Sequence, residues 1–140
     1  MSDKNSREVE FGVCGDVAYS IWEINLPTLG WTWNTAYVAV PPGHPWHGKN
    51  YDEIEVGGYV HGGLTFSDKA DEFNGEGSDG FERLKTMNAW LVGMDWNHAG
   101  DVDWNTSTHT RRYPYREVLD EARNLCGFAM QAARQAQEVS

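Results

Sequence analysis

The stretch GMDWNHAGDVDW, residues 93–104, sets Asp95, His98 and Asp101 at even three-residue intervals, among tryptophans and beside a glycine. Two carboxylates and an imidazole are donors for a divalent metal, and they serve equally as hydrogen-bond partners for a polar ligand. Asn97 and Gly100 interrupt any regular strand, so the segment is expected to turn and let the three side chains converge. With His61 added from a neighbouring segment, the set His61, Asp95, His98 and Asp101 meets the ligand count of a hydrolytic zinc or manganese centre. The spacing lacks the fixed pattern of an HExxH helix, however, and aspartates beside turn glycines commonly bond their own backbone. For His98, metal ligation, ligand contact and a structural hydrogen bond all stay open.

Other residues extend the candidate set. EVGGYVHGGLTF reads as a strand in which Tyr59, His61 and Thr65 share a face, and its four glycines mark bulges or close approach of a backbone or ligand. PPGHPWHGKNYDE holds three prolines that fix φ, making a stiff arm for His44, Trp46, His47 and Lys49. Trp46, Trp96 and Trp104 lie in or beside loops, where a ring can stack on a base. His44, His47, Lys49, His61, Thr65, His98 and Arg111 or Arg112 are donors suited to phosphate, and Asp95 or Asp101 suits a base amine or ribose hydroxyl. The expected ligand set is therefore His44, Trp46, Lys49, His61, Thr65, Asp95, Trp96, His98 and Asp101.

The elements that must position these groups are strands first and one helix last. In GWTWNTAYVAVP, residues 31, 33, 35, 37 and 39 alternate with 32, 34, 36, 38 and 40, as on a strand rich in aromatic and β-branched residues. Val9–Val13, Val17–Ile24, Glu55–Phe66 and Ala89–Trp96 are further strand candidates, and Phe81–Met87 a short helical turn. On the strand Ala89–Trp96, Trp90, Val92, Met94 and Trp96 share one face and Leu91, Gly93 and Asp95 the other. After Pro114, residues Val118, Leu119, Ala122, Leu125, Cys126, Ala129, Met130 and Ala133 recur at helical steps and form one apolar stripe. The predicted fold is α+β: a single two-layer domain over residues 1–140, its antiparallel sheet covered by a long C-terminal helix. Residues 1–8 are expected to be flexible and the acidic stretch 67–80 a mobile surface loop.

Bulk properties narrow the partners. The 140-residue chain carries a formal charge of −10. Residues 111–140 hold five Arg against four acids, so the rest bears the whole excess. An acidic surface repels phosphate backbones, which argues against long nucleic acid, although a small anion can still enter a locally positive pocket. No long apolar run suggests a membrane span, and the polar start MSDKNSREVE lacks a signal-peptide pattern, so the expectation is a cytoplasmic protein. The two cysteines, Cys14 and Cys126, stand far apart in apolar surroundings and read as reduced buried thiols.

GHP at 43–45 with a nearby GK, VHGGLTF at 60–66 and GMDWNHAGD at 93–101 together resemble a group of small proteins recurrent in bacteriophage and prophage genomes. The likeness spans roughly residues 36–125. It implies a phage-borne accessory protein acting in the host cytoplasm, in a setting where many small proteins counter host defence by binding or destroying nucleotide signals. The first functional reading is a non-enzymatic protein that sequesters a small polar, nucleotide-derived ligand without a cofactor. One alternative is a metal-dependent hydrolase or phosphodiesterase with a divalent metal at His61, Asp95, His98 and Asp101. Another is an acidic decoy that blocks a host protein. A homo-oligomer is compatible with each.

Overall fold

A computed structural model describes residues 5–28, 31–96 and 114–139. Among these, strands β1 (Asn5–Cys14), β2 (Val17–Leu26), β3 (Trp31–Val40), β4 (Phe66–Lys69) and β5 (Trp90–Asp95) form one antiparallel sheet in the order β1-β2-β3-β5-β4. Two helices, α1 (Asp79–Thr86) and α2 (Tyr115–Val139), complete the α+β domain. The period-two patterns of the sequence are realised directly. Val17, Tyr19 and Ile21 of β2 and Ala36, Val38 and Val40 of β3 face α2. Ala18 and Trp22 of β2 and Trp33, Tyr37 and Ala39 of β3 face the other way.

The helix buries the stripe that its spacing predicts. Val118, Ala122, Leu125, Cys126 and Ala129 are wholly inaccessible to solvent. Burying a side chain such as Leu125 contributes about 1.5–3 kcal/mol relative to leaving it exposed. The small residues at 122 and 129 let the helix approach the strands closely. At its start, the Pro114 carbonyl accepts from the backbone N–H groups of Glu117 (3.0 Å) and Val118 (3.4 Å).

The opposite face of the sheet carries an aromatic layer. Trp22 packs edge-on to Phe81 of α1 at 5.1 Å and against Phe73 at 4.9 Å, and Tyr37 meets Phe66 and Phe73, each at 5.2 Å. The acidic stretch 67–80, expected to be a mobile loop, thus contains most of β4, a 3-10 turn at Ala70–Glu72, and Ser78, whose hydroxyl caps α1 by accepting from the Phe81 N–H. The reason is its apolar inner side: Ala70 is 1% exposed, and Phe73 lies within the aromatic layer. Residues 5–8, placed within a flexible N-terminus by composition, belong to β1.

A bulge in β1 ties both layers together. Residues two apart on a regular strand share a face, but the register shifts between Glu8 and Glu10. Glu8 accepts from Ser20 Oγ and from the Ser78 N–H on the aromatic side. Glu10 accepts from the Tyr19 and Tyr115 hydroxyls on the α2 side. One extra residue thereby turns two nearby carboxylates to opposite faces.

The segment Glu55–Phe66 corrects the sequence reading: strand pairing starts only at Phe66, and the preceding residues are loop and turn. The four glycines explain it. Gly57 and Gly58 lie so close to α2 that a Cβ would fall 2.9 Å from Gln131 Oε1 and 2.6 Å from Phe128 Cζ, respectively. Gly62 and Gly63 adopt φ of 66° and 78°, which closes a turn through the 2.9 Å bond from the Gly63 N–H to the Val60 carbonyl.

Candidate functional site

That turn places His61 against the C-terminal end of β5. Its ring, 7% exposed, stacks on Trp96 with centroids 5.2 Å apart and planes 12° from parallel. Tyr59, which is 70% exposed, brings its hydroxyl to 3.4 Å from His61 Nδ1. Across from these rings, α2 presents Glu117, Asp120, Glu121 and Asn124, spaced so that all four share one helical face. The three aromatic rings and this face enclose a recess of about 280 Å³.

The electrostatics of the recess are uneven. Burial pushes the Glu121 carboxyl above its ordinary value, the Glu117 charge adds to the effect, and the His61 backbone N–H, which donates to Glu121, partly offsets it. On the aromatic side the Trp96 indole is 1% exposed, and its Nε1–H has no acceptor among the described residues. A buried donor left unpaired is costly, by about 1–3 kcal/mol. The recess therefore sets three carboxylates in one wall against Trp96, whose buried indole N–H lacks an acceptor among the described residues, in the other.

The expected ligand set is divided by the sheet. His61 and Trp96 line this recess, whereas Asp95, one residue before Trp96, projects to the opposite face. There Thr65 Oγ1 donates to Asp95 Oδ2 at 3.1 Å. Burial pushes the nearby Tyr37 phenol up, with the Asp95 charge adding to the shift. His61 and Thr65, expected on one strand face, are thus presented to different faces, because the Gly62–Gly63 turn breaks the alternation between them.

The proline-rich arm holds structure together at another place. His44 uses both ring nitrogens: Nε2 donates to the Ala129 carbonyl at 2.7 Å, and Nδ1 accepts from the Trp46 N–H at 3.0 Å. Burial lowers its pKa, so the ring is neutral in this arrangement. Trp46 is 3% exposed within the α2-side core and has no free face for a base. His47 bonds the Asn88 carbonyl at 2.7 Å, and the Lys49 carbonyl accepts from the Trp90 indole while its side chain stays in solvent. A larger recess of about 600 Å³ opens beside this arm, but its walls are mainly prolines, glycines and the small side chains of α2, with Asp16 and Arg134 as its charges.

His98, Asp101, Trp104, Arg111 and Arg112 lie outside the described residues. Among the described residues, no group of three or more His, Cys, Asp or Glu side chains is placed to hold a metal ion. Of the expected metal set only His61 and Asp95 are described, and they lie on opposite faces of the sheet. Also among the described residues, no helix is long and apolar enough to cross a membrane.

Sequence reasoning missed Tyr59 as a wall and the helical acids altogether. The available signal was the like-charged set Glu117, Asp120 and Glu121 at three- and four-residue spacing, where mutual repulsion disfavours a helix. No protein-family model, curated protein or solved structure matches the chain significantly, so the likeness to bacteriophage proteins rests on its motifs alone.

Proposed function

We propose that this protein binds a small polar ligand, without turnover, in the recess between the Tyr59–His61 turn, Trp96 and α2. The observation that carries the reading is the buried Trp96 indole N–H, unpaired among the described residues, beside a recess whose other wall holds three carboxylates. A ligand that suits both walls must offer an acceptor and a donor close together. The edge of a nucleobase does so, with a ring nitrogen or carbonyl beside an exocyclic amine, and Tyr59 adds an exposed ring on which such a base can stack. Phosphate suits the recess poorly, because the carboxylates of Glu117, Asp120 and Glu121 repel it. A nucleotide-derived signal would therefore enter base first, with its phosphates in solvent. Sequestration of such a signal fits the phage-type setting suggested by the motifs.

Calorimetric titration of the full chain with nucleosides, cyclic dinucleotides, cyclic trinucleotides and ADP-ribose derivatives tests this reading. A base-first pose requires that a nucleoside and its phosphorylated form bind with similar affinity, and that Trp96→Phe, which keeps the ring but removes the donor, weakens both by about ten-fold. Absence of heat across the panel, or affinity that depends on the phosphates, contradicts it. Recovery of the ligand after heat denaturation separates the mechanisms: an intact molecule means sequestration, and an altered one means catalysis.

A further inference from the structure

The only two cysteines of the chain, remote in sequence, are neighbours in the fold. Cys14 ends β1, is partly exposed and packs against the core cluster that contains Cys126. Cys126 sits fully buried on the inward stripe of α2, in the cluster that Cys14 packs against, and the nearby Cys14 thiol adds to the upward push that burial gives its pKa. An independent contact fixes the same juxtaposition. Gly15, next to Cys14, faces the following turn of α2, where a Cβ at this position would lie 3.3 Å from Met130 Cε. Both thiols are free.

We propose that Cys14 and Cys126 are a modification site: a dithiol that closes to an intramolecular disulfide when the protein meets an oxidised low-molecular-weight thiol, and reopens under reductant. The partly exposed Cys14 is where the reagent enters. Its thiolate attacks one sulfur of the small disulfide, the S–S bond breaks, and one small thiolate leaves and takes up the proton lost by Cys14. Cys126, as thiolate, then attacks the Cys14 sulfur of the mixed disulfide and expels the second small thiol. Two protein thiols are oxidised and one small disulfide is reduced to two thiols. Burial pushes the Cys126 thiol up, which slows this second step by lowering its thiolate fraction. The new bond links the end of β1 to the middle of α2, at the edge of the 600 Å³ recess that Gly15 and Met130 line.

The test incubates the folded full chain with oxidised glutathione and measures intact mass, non-reduced peptide maps and thermal unfolding. The expected product is lighter by two hydrogens, yields a Cys14–Cys126 linked peptide pair, melts roughly 10–20 °C higher because the closed loop spans most of the chain, and reverts with dithiothreitol. Cys14→Ser, a change at a partly exposed position that spares the buried thiol, should show neither the product nor the increase. A glutathione adduct that persists on Cys14, a disulfide-linked dimer, or two thiols that remain free would each overturn the proposal. Peptide mapping of the wild-type protein distinguishes these outcomes even if a variant folds poorly.

Discussion

At the scale of single residues, Glu121 sets stability against binding. Its carboxylate is partly desolvated and faces Glu117, so the folded state holds its pKa above the unfolded value. A carboxyl raised in this way favours the fold below the unfolded value of 4.5, and that advantage is lost as pH rises through the folded value. Glu121→Gln should therefore raise stability at neutral pH, by roughly 0.5 kcal/mol or less because the group is still partly solvated. The same change removes a charged acceptor from the recess and should weaken ligand binding about ten-fold. Urea unfolding and calorimetry on one preparation check both signs. The stability difference should vanish in acid, where the wild-type group is protonated too. Such an opposition is what a binding residue produces, and a merely solvated surface acid would show neither effect.

Between elements, His44 joins the proline-rich arm to α2. Burial lowers its pKa from 6.5, the charge of His47 adds to this, and the bond to the Ala129 carbonyl works the other way. Because the folded value lies below the unfolded one, stability from the neutral ring is complete above 6.5 and is lost as pH falls through the folded value. His44→Ala should cost about 1–3 kcal/mol at neutral pH and flatten the decline of the urea midpoint as pH falls below 6.5. Ligand affinity per folded molecule should not change, since His44 lies outside the recess. Gly93 is the corresponding point within the sheet. A Cβ there would sit 2.5 Å from Tyr37 Cδ1 and 2.9 Å from the Ala36 carbonyl, and Phe66 and Phe73 hold the Tyr37 ring in place. Gly93→Ala should thus destabilise the protein by about 1–3 kcal/mol, visible as a lower urea midpoint. The β3 alternation and the α2 stripe were legible in the sequence because one period governs a whole element. Glu55–Phe66 misled because alternating Tyr59, His61 and Thr65 imitate a strand, while the positive φ of Gly62 and Gly63 breaks the period between them.

For the whole molecule, legibility declines with sequence separation. The opposite orientations of Asp95 and Trp96 follow from period two alone, yet the sequence could not indicate that α2 would bring Glu117 and Glu121 over Trp96. Nor could it show that Cys14 would meet Cys126. The same separation governs how the sheet assembles. β1, β2 and β3 are consecutive neighbours, whereas β5 inserts between β3 and β4 and pairs residues as remote as Thr35 and Asp95. Closing that loop costs chain entropy before any pairing is gained. A nascent chain emerging from the ribosome can therefore form its first three strands early, but β3 keeps an open hydrogen-bonding edge until β5 has been synthesised. During that interval both faces of β3, buried in the finished fold, lack their aromatic and helical covers. The period of greatest exposure to intermolecular strand pairing, and to chaperone capture, is set by the length of chain between Val40 and Trp90.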